Sequence, residues 1–348
     1  MFKAIFVIIG TIIGAGFASG KEIFTFFNIY GIWGFLGLII SELIIGFVLY
    51  KTFCIILSYN ITSYGEFIEK LFGKSSFITS VLCNIINIFL LISFIVMVAG
   101  FAAYFSQEYG LPYFFGAFIL AMLSFITFLK SIDGIVKVNL LFIPCLIFII
   151  LVLGLKNMNC FTNVTNLSID LNYRFIIRAI LYASYNLIIA LPILITLKKY
   201  VTNFVQAKFV SFVTMFLLLF MTAIIFLLLN YYFTEIKLLE LPTVYIAAKS
   251  GSVYKYFCGI LILGAIFTTA ISNGYSFLNN LNLSSSKSYK ITAAVICLVS
   301  IILSHIGFAT LLNLLYPILG LLRFISNNFY TVFFKNTLKI LCFIDISI

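Results

Sequence analysis

Runs of about twenty apolar residues follow one another along nearly the whole chain, with short polar interruptions between them. A run of that length crosses the hydrocarbon core of a bilayer as an α-helix, and a backbone at that depth has to satisfy its own N–H and C=O groups. The chain of 348 residues is 64% hydrophobic and 9% charged, against about 25% charged for a soluble domain. That leaves too little polar surface for a soluble domain. The expected fold class is an all-α polytopic membrane protein with no separate soluble part.

Ten spans are expected, roughly at residues 2–27, 32–57, 76–105, 112–129, 138–155, 176–197, 205–231, 254–281, 291–306 and 310–325. The first apolar stretch has no cleavage signature and reads as a retained span. The end of the chain, residues 326–348, is short and interrupted by Asn327, Asn328, Lys335 and Lys339, which suits an interfacial tail helix. The net charge of +11 does not mark a nucleic-acid surface, because the basic residues sit in short loops between apolar runs. With the N-terminus in the cytoplasm, fourteen of the 21 Lys and Arg fall on the cytoplasmic side, six outside, and Lys21 within the membrane. That bias puts both termini inside. The seven cysteines form no C-x-x-C pair and lie mostly in apolar runs, as small buried hydrophobes do.

The lengths repeat. A spacing near 170–177 residues carries span 1 onto span 6 and span 3 onto span 8. Five spans is an odd number, so the second half would enter from the opposite side, an inverted repeat. The core is then 1–325, with repeat one about 1–155 and repeat two about 174–325.

Span 1 contains "VIIGTIIGAGFASGKEIFTFF", residues 7–27, with glycines at 10, 14, 16 and 20 and the charges of Lys21 and Glu22. Each glycine costs a helix about 1 kcal/mol against alanine. A helix broken at membrane depth is tolerated where it is buried in protein or lines a cavity. The half-helix that starts after the break offers free N–H groups to an anion such as a carboxylate, and the half that ends offers free carbonyls to a cation. Gly14, Ala15 and Gly16 are the candidate N–H donors. The same glycines also suit a face where a second helix packs closely. In span 6, "RAILYASYNLIIALPIL", the residues Tyr182, Ser184, Tyr185 and Asn186 interrupt an aliphatic helix and Pro192 follows. Interrupted spans at matching places in two halves point to a transporter binding site. Tyr182, Ser184 and Asn186 are expected to meet the ligand, with unwinding near residues 183–185. Span 8, "GILILGAIFTTAISNGYSF", carries Thr268, Thr269, Ser272 and Asn273 in mid-span; the two threonine hydroxyls can alternatively bond back to their own helix.

These stretches resemble the LeuT fold of the amino acid–polyamine–organocation superfamily, a 5+5 inverted repeat with broken helices 1 and 6. The resemblance covers the ten-span core and is sharpest in "GTIIGAG", residues 10–16, and "AIFTT", residues 265–269. It implies a sodium site built from the carbonyls of Gly10, Ile13 and Ala265 and the hydroxyls of Thr268 and Thr269, five neutral oxygens for a hard cation. "GTIIGAGFASGKEI" with "YASYN" is similar to the YkvI-type bacterial membrane proteins, a resemblance that brings fold and no substrate. Phe17 stands where sodium-dependent members often have an asparagine for a second ion.

Charges at bilayer depth are functional candidates by default. Lys21 and Glu22 are placed to line the outer vestibule. Glu42, near the middle of span 2, is expected from the resemblance to hydrogen-bond the broken backbone of spans 1 and 6; a proton carrier and an ion pair with Lys21 are the alternatives. The leading function is a sodium–solute symporter of a bacterial cytoplasmic membrane, with a small carboxylate-bearing substrate, an amino acid, and sodium as the coupling ion in place of any organic cofactor. A non-transporting ligand sensor of the same fold and a proton-coupled transporter stand beside it. No His/Glu/Asp or Ser/Lys constellation marks an enzyme.

Overall fold

The computed structural model describes residues 1–72, 76–157, 173–237, 239, 241–281, 283, 285–308 and 310–311, with the side chains of residues 72, 76–79 and 107 outside that description. Residues 312–325 of the expected tenth span and the expected tail helix lie outside the described residues, so neither is tested.

The regular structure among the described residues is helical. The first half holds α1 (Phe2–Ile12), α2 (Ala15–Ala18), α3 (Lys21–Phe26), a 3-10 turn at Asn28–Tyr30, α4 (Gly31–Ser58), α5 (Tyr64–Phe72), α6 (Ser76–Tyr109), α7 (Tyr113–Leu129) and α8 (Ser131–Lys156). The second half holds α9 (Arg174–Thr196), a 3-10 turn at Leu197–Tyr200, α10 (Phe204–Tyr231), α11 (Phe233–Ile236), α12 (Pro242–Ser250), α13 (Ser252–Asn280) and α14 (Ser286–Ser304). Among the described residues, seven helices are long and apolar enough to cross a membrane, and the shorter apolar helices α1 and α7 stand beside them.

The repeat shows in these lengths. α4 and α10 are both 28 residues long, α5 and α12 both nine, and α7 and α14 are 17 and 19. They occur in the same order in each half. α4 and α10 pack against each other, as do α6 and α13.

α1 forms the centre, touching α8, α9, α10 and α13. Its Ala4, Ile5, Val7, Ile8 and Ile9 are fully buried on every side, the pattern of a helix enclosed by others. The outer faces of α8, α10 and α14 carry large apolar side chains that remain exposed, among them Leu141, Phe212 and Ile302. Lipid is the solvent that accepts such faces.

Polar contacts gather at the two ends of the bundle. At one end the Lys198 ammonium bonds the Ile61 carbonyl at 3.2 Å. There too the Lys199 ammonium and the Tyr200 hydroxyl meet Asp133 at 2.7 and 2.6 Å, and Lys3 lies over the Tyr200 ring. At the other end Lys255 pairs with Glu108 at 2.8 Å, Lys249 pairs with Glu235, and Asn157 bonds Ser250 at 3.0 Å. The basic loops that the charge bias assigns to one side are therefore neighbours in space.

Glycine enables one junction beyond the first span. A Cβ on Gly34 would lie 1.9 Å from the Phe27 carbonyl oxygen and 2.7 Å from its carbon. The start of α4 thus rests directly on backbone. Backbone cannot swing aside as a side-chain tip can, so Gly34→Ala is expected to destabilise the protein by about 1–3 kcal/mol, the usual range for overpacking. A melting temperature of the purified variant equal to that of the unsubstituted protein would refute this junction.

Candidate functional site

The first span breaks as the glycines suggest, and slightly earlier than their centre. α1 closes with the Ile13 N–H on the Ile9 carbonyl at 2.8 Å. Ile13 then turns extended (φ −80°, ψ 92°) and Gly14 follows (φ −95°, ψ −169°). One turn of helix resumes at Ala15, with the Ala18 N–H on the Gly14 carbonyl at 3.0 Å. Gly20 takes a left-handed conformation, φ 78°, which redirects the chain into α3.

Each loose end of this broken span is met by a threonine from far along the chain. The Thr269 hydroxyl of α13 lies 3.0 Å from the Gly10 carbonyl oxygen and 2.8 Å from that of Ile13. On the other side of the break the Thr243 N–H donates to the Ser19 carbonyl at 3.0 Å. Its hydroxyl donates to the Ala18 carbonyl at 2.8 Å. Helix α12, which carries Thr243, is thereby held against the second half of the span.

Of the five residues expected to hold a cation, three oxygens converge directly: Gly10 O, Ile13 O and Thr269 Oγ1. A single hydroxyl hydrogen cannot serve two carbonyls fully, so three negative dipole ends crowd one point. Thr268, beside Thr269, and Ala265, one turn before it, are fully buried, and the Thr268 hydroxyl bonds back to the Ala265 carbonyl at 3.1 Å. That is the self-bonded alternative, for Thr268 alone. Asn139 of α8 was not singled out by the sequence. It is fully buried, and its Oδ1 has no hydrogen-bond partner, while its amide nitrogen bonds the Ile135 carbonyl at 2.9 Å. A Cβ on Gly10 would sit 1.8 Å from that oxygen. Its signal was a lone amide in an apolar run.

The expected break in span 6 is absent. α9 runs without interruption from Arg174 to Thr196, with Pro192 inside it. The physical reason is local. The span contains no glycine, and its polar side chains bond their own helix instead of opening it. The Ser184 hydroxyl donates to the Ile180 carbonyl at 2.7 Å, and the Asn186 amide donates to the Tyr182 carbonyl at 3.0 Å. Tyr182 faces inward, 1% exposed, with its ring edge-on to Phe26 and Phe27 at 5.5 and 5.0 Å. So Tyr182 meets the first span, while Ser184 and Asn186 have their donors engaged.

The charges also differ from expectation. The Lys21 ammonium donates to the Leu239 carbonyl at 2.7 Å and does not pair with Glu42. Glu42 is 1% exposed, and its Oε2 has no hydrogen-bond partner. Because α9 is unbroken, span 6 offers this acid no free backbone N–H groups. Glu22 turns back along the first span to Gly16 and accepts a hydrogen bond from the Tyr185 hydroxyl.

Around a broken first helix, this arrangement of spans is that of a LeuT-like 5+5 inverted-repeat membrane protein, with helix 6 continuous. The chain superposes on a substrate-bound, outward-open structure of a Na+-coupled sialic acid symporter with a TM-score of 0.69, covering 96% of this chain and 78% of that one at 14% identity. Among curated proteins it is similar to "Uncharacterized membrane protein YkvI" of Bacillus subtilis (strain 168), 28% identical over 325 residues and 90% of each chain. It is also similar to "Uncharacterized protein YyaD" of the same organism, 23% identical over 332 residues, 92% of this chain and 93% of that one. No family model matches the chain.

The contact between Gly10 and Asn139 is testable. Gly10→Ala places a methyl group against a buried amide, which is expected to cost about 1–3 kcal/mol. Asn139→Ala makes room and removes an unpaired oxygen, so the double variant should recover most of that loss in a thermal melt. Additive losses in the double variant would mean that the two residues are not in contact.

Proposed function

We propose that this chain is a secondary transporter, a sodium–solute symporter of a bacterial cytoplasmic membrane with both termini inside. Its substrate is a small molecule with a carboxylate, an amino acid. The observation that carries the coupling ion is the convergence of Gly10 O, Ile13 O and Thr269 Oγ1 at the end of α1. The carbonyl ends at a helix C-terminus are the negative end of its dipole, and neutral oxygens are ligands a hard cation accepts. Ala265 and Thr268 complete the set if the Thr268 hydroxyl leaves its own helix. The Na+-coupled symporter with the same fold supports the reading. A sensor of this fold has no use for a coupling ion.

For the substrate, the N–H groups of Gly14, Ala15 and Gly16 lie at the start of α2, ahead of any carbonyl that could receive them within a helix. Tyr182 supplies an aromatic wall from α9. Ser184 and Asn186 are subordinate, since their donors are committed. Orientation follows from the basic loops clustered at one end of the bundle, which the positive-inside rule places in the cytoplasm.

The test is a thermal melt of purified protein in sodium chloride and in potassium chloride. An ion that binds the folded state raises its melting temperature by mass action. Sodium is expected to stabilise the wild-type protein. Thr269→Val keeps the shape and removes the hydroxyl that both carbonyls share, so it should abolish the sodium effect. It should also lower the sodium-free stability by about 1–3 kcal/mol for the carbonyls left unpaired. Thr268→Val should retain part of the sodium effect. An unchanged sodium response in Thr269→Val would remove the cation site, and coupling through a proton on Glu42 would replace it.

A further inference from the structure

We propose that Glu22 determines substrate specificity: its carboxylate, lodged against Gly16 and bonded by the Tyr185 hydroxyl, holds an ammonium group of the transported molecule. The inference rests on the symporter reading and deepens it, since it names the residue that holds the ligand's amine.

Three features build the position. The first is space. A Cβ on Gly16 would lie 2.9 Å from Glu22 Cδ and 3.1 Å from Oε1. A side chain at residue 16 would evict the carboxyl group, so the glycine makes its place. The second is anchorage. The Tyr185 hydroxyl donates to the carboxylate, and the Tyr185 ring is held edge-on by Phe89 of α6 at 6.4 Å. The first, third and sixth spans therefore meet at this group. The third is missing charge. Lys21, the next residue back, turns its ammonium to the Leu239 carbonyl. Arg178 stacks on the Phe26 ring at 5.9 Å. Among the described residues no ion pair contains Glu22.

A carboxylate has about four lone-pair sites, and one hydroxyl occupies one of them. Glu22 is half-buried, and a charge drawn partly out of bulk water is costly without a partner of opposite sign. An ammonium offers three N–H donors and the missing positive charge. The Tyr185 ring beside it suits a cation as well. The same carboxylate repels an anion that lacks an amine.

The experiment measures melting of the purified full chain, wild type and Glu22→Gln, in sodium chloride. Three probe sets are added: alanine, serine and lysine; ethanolamine and putrescine, which lack a carboxylate; and lactate and propionate, which lack an amine. At least one amine-bearing probe should raise the wild-type melting temperature, and lactate and propionate should not. Glu22→Gln should weaken that probe by about tenfold or more, which is ~1.4 kcal/mol. Tyr185→Phe, which leaves the charge and removes its hydrogen bond, should weaken it less. The proposal is overturned if no amine-bearing probe acts, if the amine-free acids act equally well, or if Glu22→Gln binds the amine as tightly as wild type. The sodium response separates this from the symporter reading. A Glu22→Gln protein that sodium still stabilises is folded and keeps its cation site, whereas a wild-type protein indifferent to sodium fails at the earlier step.

Discussion

The fold depends on how the free carbonyls at Gly10 and Ile13 are satisfied at the middle of a membrane-sized bundle. An unpaired backbone group buried away from water costs several kcal/mol. The answer comes from Thr269, 256 residues beyond Ile13. At the other side of the break, Thr243 takes the Ala18 carbonyl 225 residues away. Both partners belong to the second half of the chain. The interruption in span 1 therefore ties the two halves together, and neither half can place the broken span without the other.

Close packing enforces the same arrangement. Gly10 has no room for a Cβ because of Asn139, nor Gly34 because of the Phe27 backbone. From Val7 to Ile12 the residues of α1 are buried all round, and the helices about it are long and unbroken. A rigid cage thus surrounds a short irregular segment. Contrast of that kind is expected where backbone has been given over to a site, since irregular backbone at this depth survives only inside protein.

Much of this was legible in the sequence, and the failures have physical causes. The long apolar runs announced the spans, because span length depends on bilayer thickness. A break near Gly14–Gly16 was legible because glycine penalises a helix whatever surrounds it, though the extended residues are Ile13 and Gly14 and helix resumes at Ala15. The alternation of Tyr182, Ser184 and Asn186 misled, since a polar side chain can either open a helix or bond back to it. Only the absence of glycine from α9 favoured the second outcome. Asn139 and Thr243 were hidden because their importance lies in partners more than a hundred residues away. Glu22 was visible as a charge, but its return to Gly16 follows from the turn at Gly20 and the reach of Tyr185. The tenth span and the tail helix fall outside the described residues.

Several helices match in length between the two halves, α4 with α10 and α5 with α12, but the backbone of spans 1 and 6 differs, and on the proposed reading that asymmetry bears on coupling. Span 1 is broken and span 6 is not, so the proposed sites fall in one stretch, residues 10–22, with α13 as its partner. On the proposed reading, a cation drawn to the carbonyls of Gly10 and Ile13 fixes the two extended residues that follow. Those residues set the direction of α2, its free N–H groups and Gly16, the floor on which Glu22 rests. Ion and ligand would then share a few backbone dihedrals with no need of a long relay. Coupling between two sites is a free energy that each exerts on the other. A shared segment of rigidly caged backbone transmits it most directly, because fixing the segment once lowers the ordering cost for whichever of the two binds second.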